Sequence, residues 1–151
     1  MMKKEMALYI GADHAGFALK EKIKKYLIKK GILYNDLTPI YNEKDDYPSI
    51  AFRVAQQVAR EKNTQGILIC GTGTGMVIAA NKVRKVRAVA AYDSYSARMS
   101  REHNNANILC LRGKNFPFAK IRDIVSIWLK TSFRENVRHL RRLQAIAQYE
   151  R

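Results

Sequence analysis

Short apolar runs alternate along the chain with longer segments in which apolar residues recur every three or four positions. The short runs are typical of buried strands, and the longer segments are typical of amphipathic helices. The pattern predicts strands over 6–11, 32–37, 66–70, 86–91 and 107–111, and helices over 17–30, 48–61, 76–83, 94–103, 117–130 and 134–149. Strands separated by helices predict parallel pairing with helices on both faces. We therefore expect an α/β fold, a Rossmann-like three-layer sandwich with a five-stranded parallel sheet and an extended C-terminal helix.

Composition limits the number of domains and the compartment. A chain of 151 residues with a 47% apolar fraction fits one domain over 1–151. It contains no run of about 18 apolar residues that could cross a membrane, and its N-terminal apolar run is too short for a signal peptide and fits a first strand instead. Its two cysteines, Cys70 and Cys110, both end strand-like runs. This placement indicates reduced thiols in a cytoplasmic protein.

The net charge of +15 raises the hypothesis of nucleic-acid binding. The lysines of helix 17–30 lie among apolar residues at helical spacing, which favours a solvated helix face instead. A second basic cluster lies on the C-terminal helix, where Arg138 and Arg142 could hold a phosphate. The sequence therefore makes nucleic acid an unlikely partner despite the charge, and it leaves the arginine cluster as a candidate site for a phosphorylated ligand.

The most informative segment is Gly66-Ile-Leu-Ile-Cys-Gly-Thr-Gly-Thr-Gly75, a strand that leads through a cysteine into alternating glycines and a helix. Glycines let the backbone approach a ligand closely, and the first turn of a helix offers unpaired N–H groups. The two features together favour anion binding. A thiol at Cys70 would face a positive potential that favours the reactive thiolate. The segment therefore predicts chemistry on an anionic substrate.

Two nucleotide-binding motifs fit this loop poorly. A dinucleotide fingerprint needs G-x-G-x-x-G, and Asp93 lies at a suitable distance to bind a ribose. However, Met76 occupies the position of the third glycine, and the loop follows the third strand instead of the first. A P-loop requires G-x-x-x-x-G-K-[ST], which is absent. A dinucleotide-sensing module remains a weaker alternative.

Polar residues that follow the predicted strands and helices supply further candidates. Ligands of open parallel sheets bind at the carboxyl ends of the strands. Asp13 and His14 follow the first strand, Cys70 ends the third, and His103 follows the helix after the fourth, so we expect them near one edge. Each has a simpler explanation: Asp13 could cap a helix, His103 could lie on the surface, and Cys70 could be a small core residue.

The motifs taken together resemble those of the type B ribose-5-phosphate isomerases and the related galactose-6-phosphate isomerase subunits. The resemblance runs from residue 11 to the C-terminal helix. The motifs that carry it, in chain order, are Gly11-Ala-Asp-His-Ala-Gly-Phe17, Asp46-Tyr-Pro48, Gly66 to Gly75, Ile78-Ala-Ala-Asn-Lys82, Arg101-Glu-His-Asn-Asn-Ala106 and Arg138-His-Leu-Arg-Arg142.

The resemblance implies an aldose–ketose isomerase that converts ribose 5-phosphate to ribulose 5-phosphate without a metal or other cofactor. Such a reaction moves a proton between C2 and C1 through an enediolate. By resemblance Cys70 is the base, because Met76 stands where another branch of the family has a glutamate. The N–H groups of Gly71 and Gly75 lie near the enediolate.

The resemblance also assigns the other site residues. Asp13 and His103 open the sugar ring, Thr72 and Asn104 position sugar hydroxyls, and Tyr47 lines the pocket. The phosphate is held by His14, Arg138 and Arg142. His139 receives no role. An isomerase of a six-carbon sugar phosphate, such as allose or galactose 6-phosphate, is the alternative within the family.

In the family the site lies between subunits, so the resemblance implies a homodimer or a dimer of dimers with shared active sites. The amphipathic C-terminal helix, apolar at Val137, Leu140, Leu143 and Ile146, suits such a contact. One position departs from the family: the turn after the fifth strand ends in Lys114 where an arginine is usual. Lysine keeps the charge and lacks the planar guanidinium.

Overall fold

A computed structural model describes residues 6–150 of the chain; residues 1–5, which precede the first predicted strand, and residue 151 lie outside it. The strands are β1 (Ala7–Ala12), β2 (Asn35–Asp36), β3 (Thr64–Cys70), β4 (Ala88–Ala90) and β5 (Ile108–Arg112). The helices are α1 (Phe17–Lys29), α2 (Tyr47–Arg60), α3 (Thr74–Ala80), α4 (Ser94–Glu102), α5 (Phe118–Lys130) and α6 (Val137–Tyr149). All strand pairs are parallel, in the order β2-β1-β3-β5-β4. The predicted fold class and element order are confirmed.

Several predicted boundaries shift for local reasons. Strand β2 has two residues instead of six because it lies at the edge and pairs only with Tyr9 and Ile10 of β1. Strand β4 covers only Ala88–Ala90, because the N–H of Val86 is bonded to the carbonyl of Val83 and that of Arg87 to Oδ1 of Asn107. Helix α3 starts two residues earlier than predicted, directly after Gly73, whose φ is +86°. Helix α6 starts at Val137 instead of 134.

The two faces of the sheet bury separate apolar clusters. One cluster joins the inward residues of α1, α4 and α5 to β1, β3 and β5, and the other joins α2 and α3 to the opposite side of β3 and β5. Helix α1, which follows β1, therefore covers one face, and α3, which follows β3, covers the other. Neighbouring strands whose outgoing helices diverge in this way leave a crevice at their carboxyl ends. The fold places that crevice between β1 and β3.

Most lysines of α1 lie on a solvated face, but Lys20 and Lys24 pair with carboxylates. Lys22, Lys25 and Lys29 are exposed, as predicted. Lys20 is fully buried, and its Nζ donates to Asp36 Oδ2 over 2.6 Å. The solvated face predicted for most of these lysines does not include Lys20, because a carboxylate on the neighbouring edge strand compensates for the buried ammonium group, which helical spacing alone does not reveal.

Helix α6 lies outside the sandwich, along the amino ends of the strands. Its start is joined to the end of α4 by a bond from Arg134 N to Glu102 O, and its end is joined to the segment before β4 by bonds from Lys85 N to the Glu150 carboxylate. Its apolar residues Val137 and Ile146 are 81% and 58% exposed. Among residues 6–150, no helix is both long enough and apolar enough to cross a bilayer.

Candidate active site

The crevice between β1 and β3 brings two of the predicted site residues side by side. Asp13 follows β1, and its N–H donates to the carbonyl of Ile69 over 3.2 Å. Cys70, the next residue, ends β3 and is buried, with 5% of its surface exposed. A carboxyl group and a thiol therefore lie at the carboxyl edge of the sheet, at the position where open α/β sheets bind ligands.

The glycine loop wraps around the Cys70 sulfur. The N–H of Gly73 donates to Cys70 Sγ over 3.1 Å, so the backbone holds the thiol in place. A Cβ at Gly73 would lie 3.2 Å from the carbonyl carbon and oxygen of Leu111, and the positive φ also excludes most other residues. Thr72 is held through its carbonyl, which accepts from the Tyr92 hydroxyl over 3.1 Å. The predicted loop residues thus form one fixed unit.

Tyr47, the first residue of α2, closes one side of this loop. A Cβ at Gly75 would lie 2.7 Å from Cζ of the Tyr47 ring, which means that the ring rests directly on the glycine backbone. The Tyr47 side chain remains 39% exposed. The structure therefore brings the predicted pocket residue Tyr47 to the predicted loop residue Gly75, and a larger residue at 75 would displace the ring.

Asp13 is a buried carboxyl group that also shapes the turn before α1. Its Oδ1 accepts from the N–H of Gly16 over 3.0 Å, so it holds the turn before the helix, whereas the N-cap residue of α1 is Gly16, which has no side-chain cap bond. Burial raises the pKa of Asp13, and the hydrogen bond from Gly16 opposes that shift without cancelling it. A carboxyl group with a raised pKa retains its proton more readily and is suited to acid–base work.

His14 is exposed and pairs with Asp45. The Asp45 Oδ1 atom accepts from the His14 backbone N–H over 2.8 Å and lies 3.1 Å from His14 Nδ1. This hydrogen bond raises the pKa of His14, so the ring keeps its positive charge to higher pH. The His14 side chain is 44% exposed and can reach a ligand in solvent.

The turn after β5 closes the other side of the thiol. The N–H of Gly113 donates to the carbonyl of Cys70 over 2.8 Å, and the N–H of Lys114 donates to the carbonyl of Gly71 over 3.3 Å. Arg112 is the register partner of Cys70, and its Nε donates to the carbonyl of Lys114. Two cations, Arg112 and Lys114, therefore flank the glycine loop.

His103 and Asn104 do not join this group within one chain, which corrects the expectation from the sequence. The segment after α4 leads into Ile108, which pairs with Gly66 near the start of β3, whereas Cys70 lies four residues further along that strand. At a rise of about 3.3 Å per residue, the start of β5 and Cys70 are separated by roughly 13 Å along the strand direction. The reason is topological: α4 runs back from the carboxyl edge to the amino edge before β5 begins.

Arg138 and Arg142 lie at the same distant edge as His103. Helix α6 starts beside His103, since the His103 and His139 ring centroids are 4.6 Å apart. Arg138 and Arg142 are exposed and are one helical turn apart, so they share a face of α6. Each chain therefore carries two incomplete sets of the predicted residues, one at the carboxyl edge and one at the amino edge.

Asp45 and Tyr92, which hold His14 and Thr72 in place, are not among the residues predicted from the sequence. Asp45 lies in a polar loop that has no hydrophobic periodicity. The only indication of its role in the sequence is its position directly before the motif Asp46-Tyr-Pro48. No group of three or more His, Cys, Asp and Glu side chains within residues 6–150 is arranged to hold a metal ion.

Comparisons with known proteins agree on one family. The family model described as Ribose/Galactose Isomerase matches residues 8–146. Ribose-5-phosphate isomerase B of Escherichia coli strain K12 is 41% identical over 140 residues, which are 93% of this chain and 93% of that protein. The solved ribose-5-phosphate isomerase B of Clostridium thermocellum is 44% identical with a TM-score of 0.91, over 96% of this chain and 97% of that one.

A further solved structure carries a ligand. Ribose-5-phosphate isomerase B of Mycoplasma genitalium, with bound ribulose 5-phosphate, is 39% identical with a TM-score of 0.89, over 95% of both chains. The matches extend over nearly the whole chain in sequence and in fold. The chain belongs to the ribose/galactose isomerase family.

Proposed function

We propose that the protein is an isomerase that interconverts ribose 5-phosphate and ribulose 5-phosphate. The observation that carries the proposal is the buried Cys70 thiol, held by the glycine loop next to the Asp13 carboxyl group in a chain of this family. The Mycoplasma genitalium relative binds ribulose 5-phosphate, the ketose of this pair. The relatives compared above are named ribose-5-phosphate isomerases, which favours this substrate over a six-carbon sugar phosphate.

Cys70 acts as the base. It takes the proton from C2 of the open aldose and returns it to C1, while the proton of the C2 hydroxyl passes to the C1 oxygen. The intermediate enediolate carries negative charge on oxygen. The N–H groups of Gly71 and Gly75 stabilise that oxygen, as donors fixed in advance stabilise developing charge. Met76 is fully buried behind the loop and has no group that takes a proton at neutral pH.

Ring opening precedes the isomerisation, because the aldose is mainly a closed furanose. Opening needs a base for the C1 hydroxyl proton and an acid for the ring oxygen. Asp13 and His103 form this pair. The raised pKa of Asp13 suits proton exchange. Thr72 and Asn104 hold the sugar hydroxyls, and the Tyr47 ring forms the wall of the pocket above Gly75.

The substrate phosphate binds to His14, Arg138 and Arg142. The pKa of His14, raised by Asp45, keeps a positive charge available for the dianion. The two arginines are exposed on α6 and have planar guanidinium groups that match phosphate oxygens. Lys114 adds a further positive charge at the carboxyl edge, where it is exposed.

Two subunits complete each site. His103, Asn104, Arg138 and Arg142 lie too far from Cys70 in the same chain, so a partner supplies them. The apolar face of α6, exposed at Val137, Leu140 and Ile146, packs against that partner. A two-fold arrangement forms two identical sites from two chains, and the assembly is a homodimer or a dimer of dimers. Both cysteines are free thiols, in keeping with a cytoplasmic enzyme.

A direct isomerase assay tests the proposal. The purified protein is incubated with ribose 5-phosphate, allose 6-phosphate and galactose 6-phosphate in separate reactions, and ketose formation is measured. We expect the highest kcat/KM with ribose 5-phosphate. A higher value with either six-carbon sugar would contradict the substrate, and no turnover of any of the three would contradict the reaction class.

A further inference from the structure

The segment that joins α5 to α6 is fastened to the end of α4 by several contacts. Arg134 donates its N–H to the carbonyl of Glu102 over 3.0 Å, and its Nε lies 3.3 Å from a carboxylate oxygen of the same glutamate. Asn136 caps α6, since its Oδ1 accepts from the N–H of His139 over 2.9 Å. The start of α6 is therefore fixed next to His103, the residue that ends α4.

His139 is the one buried residue of α6, with 3% of its surface exposed. Its Nδ1 lies 3.0 Å from the carbonyl oxygen of Arg134. A carbonyl oxygen only accepts hydrogen bonds, so Nδ1 carries the proton and the imidazole is fixed in orientation. The ring packs against the His103 ring, with centroids 4.6 Å apart and an angle of 39° between the planes. Phe133 lies behind it at 6.3 Å.

We propose that His139 is a positioning residue that holds the His103 ring in the orientation needed for ring opening. The inference rests on the proposed function, which gives His103 the acid–base role. Proton transfer requires hydrogen-bond geometry with the substrate, and a half-buried side chain at a helix end keeps that geometry only when neighbouring groups restrict it. The fixed imidazole of His139 provides the restricting surface.

The same arrangement links His103 to the phosphate-binding face. His139 follows Arg138 directly, so the contact that orients His103 also fixes the first turn of α6. The acid–base group and one phosphate-binding group thus belong to one rigid unit. A substrate bound by its phosphate is then presented to a His103 ring at a constant distance and angle, which is the benefit of positioning in catalysis.

The alternative is that His139 only anchors α6. Three variants separate the possibilities, and a fourth is held in reserve. His139→Asn removes the ring and keeps an N–H donor near the position of Nδ1, so the bond to Arg134 can persist. Asn136→Ala removes the helix cap and leaves both rings. His139→Phe keeps an aromatic ring at this position. If the His139→Asn protein does not fold, His139→Leu takes its place as the variant without a ring.

Two reactions serve as readouts. Conversion of ribose 5-phosphate requires ring opening, whereas exchange of the C1 protons of ribulose 5-phosphate with deuterium does not, because that ketose is already open. We expect His139→Asn to lower kcat for the aldose by about tenfold or more, with exchange within about twofold of wild type. Asn136→Ala should leave both rates within about twofold, and His139→Phe should recover most of the aldose rate.

A double variant supplies the coupling test. If His139 acts through His103, then His139→Asn should cause no further loss in a His103→Asn background. The inference is overturned if His139→Asn leaves aldose turnover unchanged, lowers both reactions equally, or adds its full effect to that of His103→Asn. It is also overturned if Asn136→Ala reproduces the selective loss, because the stability of α6 would then explain it.

Failure of the proposed function would give different results from failure of the inference about His139. An inactive wild-type protein, or a His103→Asn variant with normal aldose turnover, would remove the role of His103 itself, and the inference with it, before any substitution at His139. A slow His103→Asn variant alongside a normal His139→Asn variant would remove only the positioning role.

Discussion

Asp45 holds His14 through a single carboxylate oxygen, which accepts from the backbone N–H of His14 over 2.8 Å and lies 3.1 Å from its Nδ1. The ring orientation and the backbone turn after β1 are thus fixed by the same residue. The contact also joins the loop before α2 to the carboxyl edge of β1. Asp45 therefore controls both where the His14 ring points and the pH at which it loses its charge.

The first prediction concerns Asp45→Asn. The carboxylate raises the pKa of His14, so in the wild type the positive ring persists to higher pH. Removing the negative charge lowers that pKa, and the ring then becomes neutral at lower pH. We expect KM for ribose 5-phosphate to rise at a lower pH in the variant than in the wild type, with kcat little changed. Steady-state kinetics over pH 6 to 9 measures this shift.

Asp46→Asn is the matched control, because Asp46 is the adjacent carboxylate, is exposed and makes no side-chain bond to the start of α2. Its KM profile should follow that of the wild type. Identical profiles for Asp45→Asn and the wild type would show that the charge of His14 does not contribute to phosphate binding.

The second prediction is that Cys70→Ala abolishes isomerase activity and leaves the fold intact. The base is lost, and a positioned base contributes about 100-fold or more. Cys110→Ala is the control. Cys110 is buried in the same apolar cluster, and burial raises the pKa of its thiol, so it is not a reactive group. Circular dichroism should be unchanged for both variants. A Cys70→Ala rate above about a tenth of wild type would exclude Cys70 as the base.

The fold, and the residues that meet at the carboxyl edge, could be predicted from the sequence because the relevant signals are local. The apolar runs of β3 and β5 are buried on both faces, and such strands are recognised from composition alone. The edge strand β2 has no such run and was overestimated in length. The glycine loop could be recognised because Gly73 needs a positive φ that few other residues adopt.

The remainder of the site depends on information that no local pattern contains. His103 follows β4 and α4 in the sequence. Whether it lies at the carboxyl edge or the amino edge of the sheet depends on the direction in which α4 runs. The role of Asp45 depends on a contact between residues that are 31 positions apart. Buried Lys20 could not be distinguished from its exposed neighbours, because its partner Asp36 lies on another element.

The third prediction concerns this buried pair. Asp36 accepts from Lys20 over 2.6 Å and lies 2.9 Å from Lys24 Nζ. We expect Asp36→Ala to lower the free energy of unfolding by about 3 kcal/mol, because it leaves the buried ammonium of Lys20 with only the more exposed Glu21 carboxylate as its partner. Glu21→Ala, which removes the more exposed partner of the same lysines, should cost under about 1 kcal/mol. Urea denaturation at pH 7 measures both changes.

The pH dependence of this pair has a definite sign. Burial acts to raise the pKa of Asp36, but the hydrogen bonds from Lys20 and Lys24 outweigh it, so the pKa is below its usual value of 3.8. The contribution of Asp36 is therefore complete above the unfolded pKa and is lost as the pH falls through the lower folded value. The difference between the wild type and Asp36→Ala should thus diminish only in strong acid. Equal stability at pH 7 would contradict the assignment.

The fourth prediction separates binding from chemistry. Arg142→Ala should raise KM for ribose 5-phosphate by about tenfold and leave kcat nearly unchanged, because the phosphate is bound alike in the ground state and the transition state. Arg141→Ala, an exposed neighbour on another face of α6, should have little effect. A fall in kcat at constant KM would place Arg142 at the reacting end of the sugar and reverse the proposed substrate orientation.

The fifth prediction tests whether two chains share each site. Cys70→Ala lacks the base, and His103→Asn lacks the acid–base group at the opposite edge, so each protein alone should turn over ribose 5-phosphate slowly. A mixed dimer contains one site with both defects and one with neither. Coexpression with different affinity tags and equal amounts of the two chains should give about half mixed dimers with one intact site each, so the total activity should reach about a quarter of wild type.

Coexpression of Cys70→Ala with Asp13→Ala should restore nothing, because both changes lie at the carboxyl edge and every site contains one of them. Successive purification on the two tags shows whether mixed dimers of Cys70→Ala and His103→Asn have formed. If they have formed and show no activity, then Cys70 and His103 act within one chain, and the proposal of a site shared between chains is wrong.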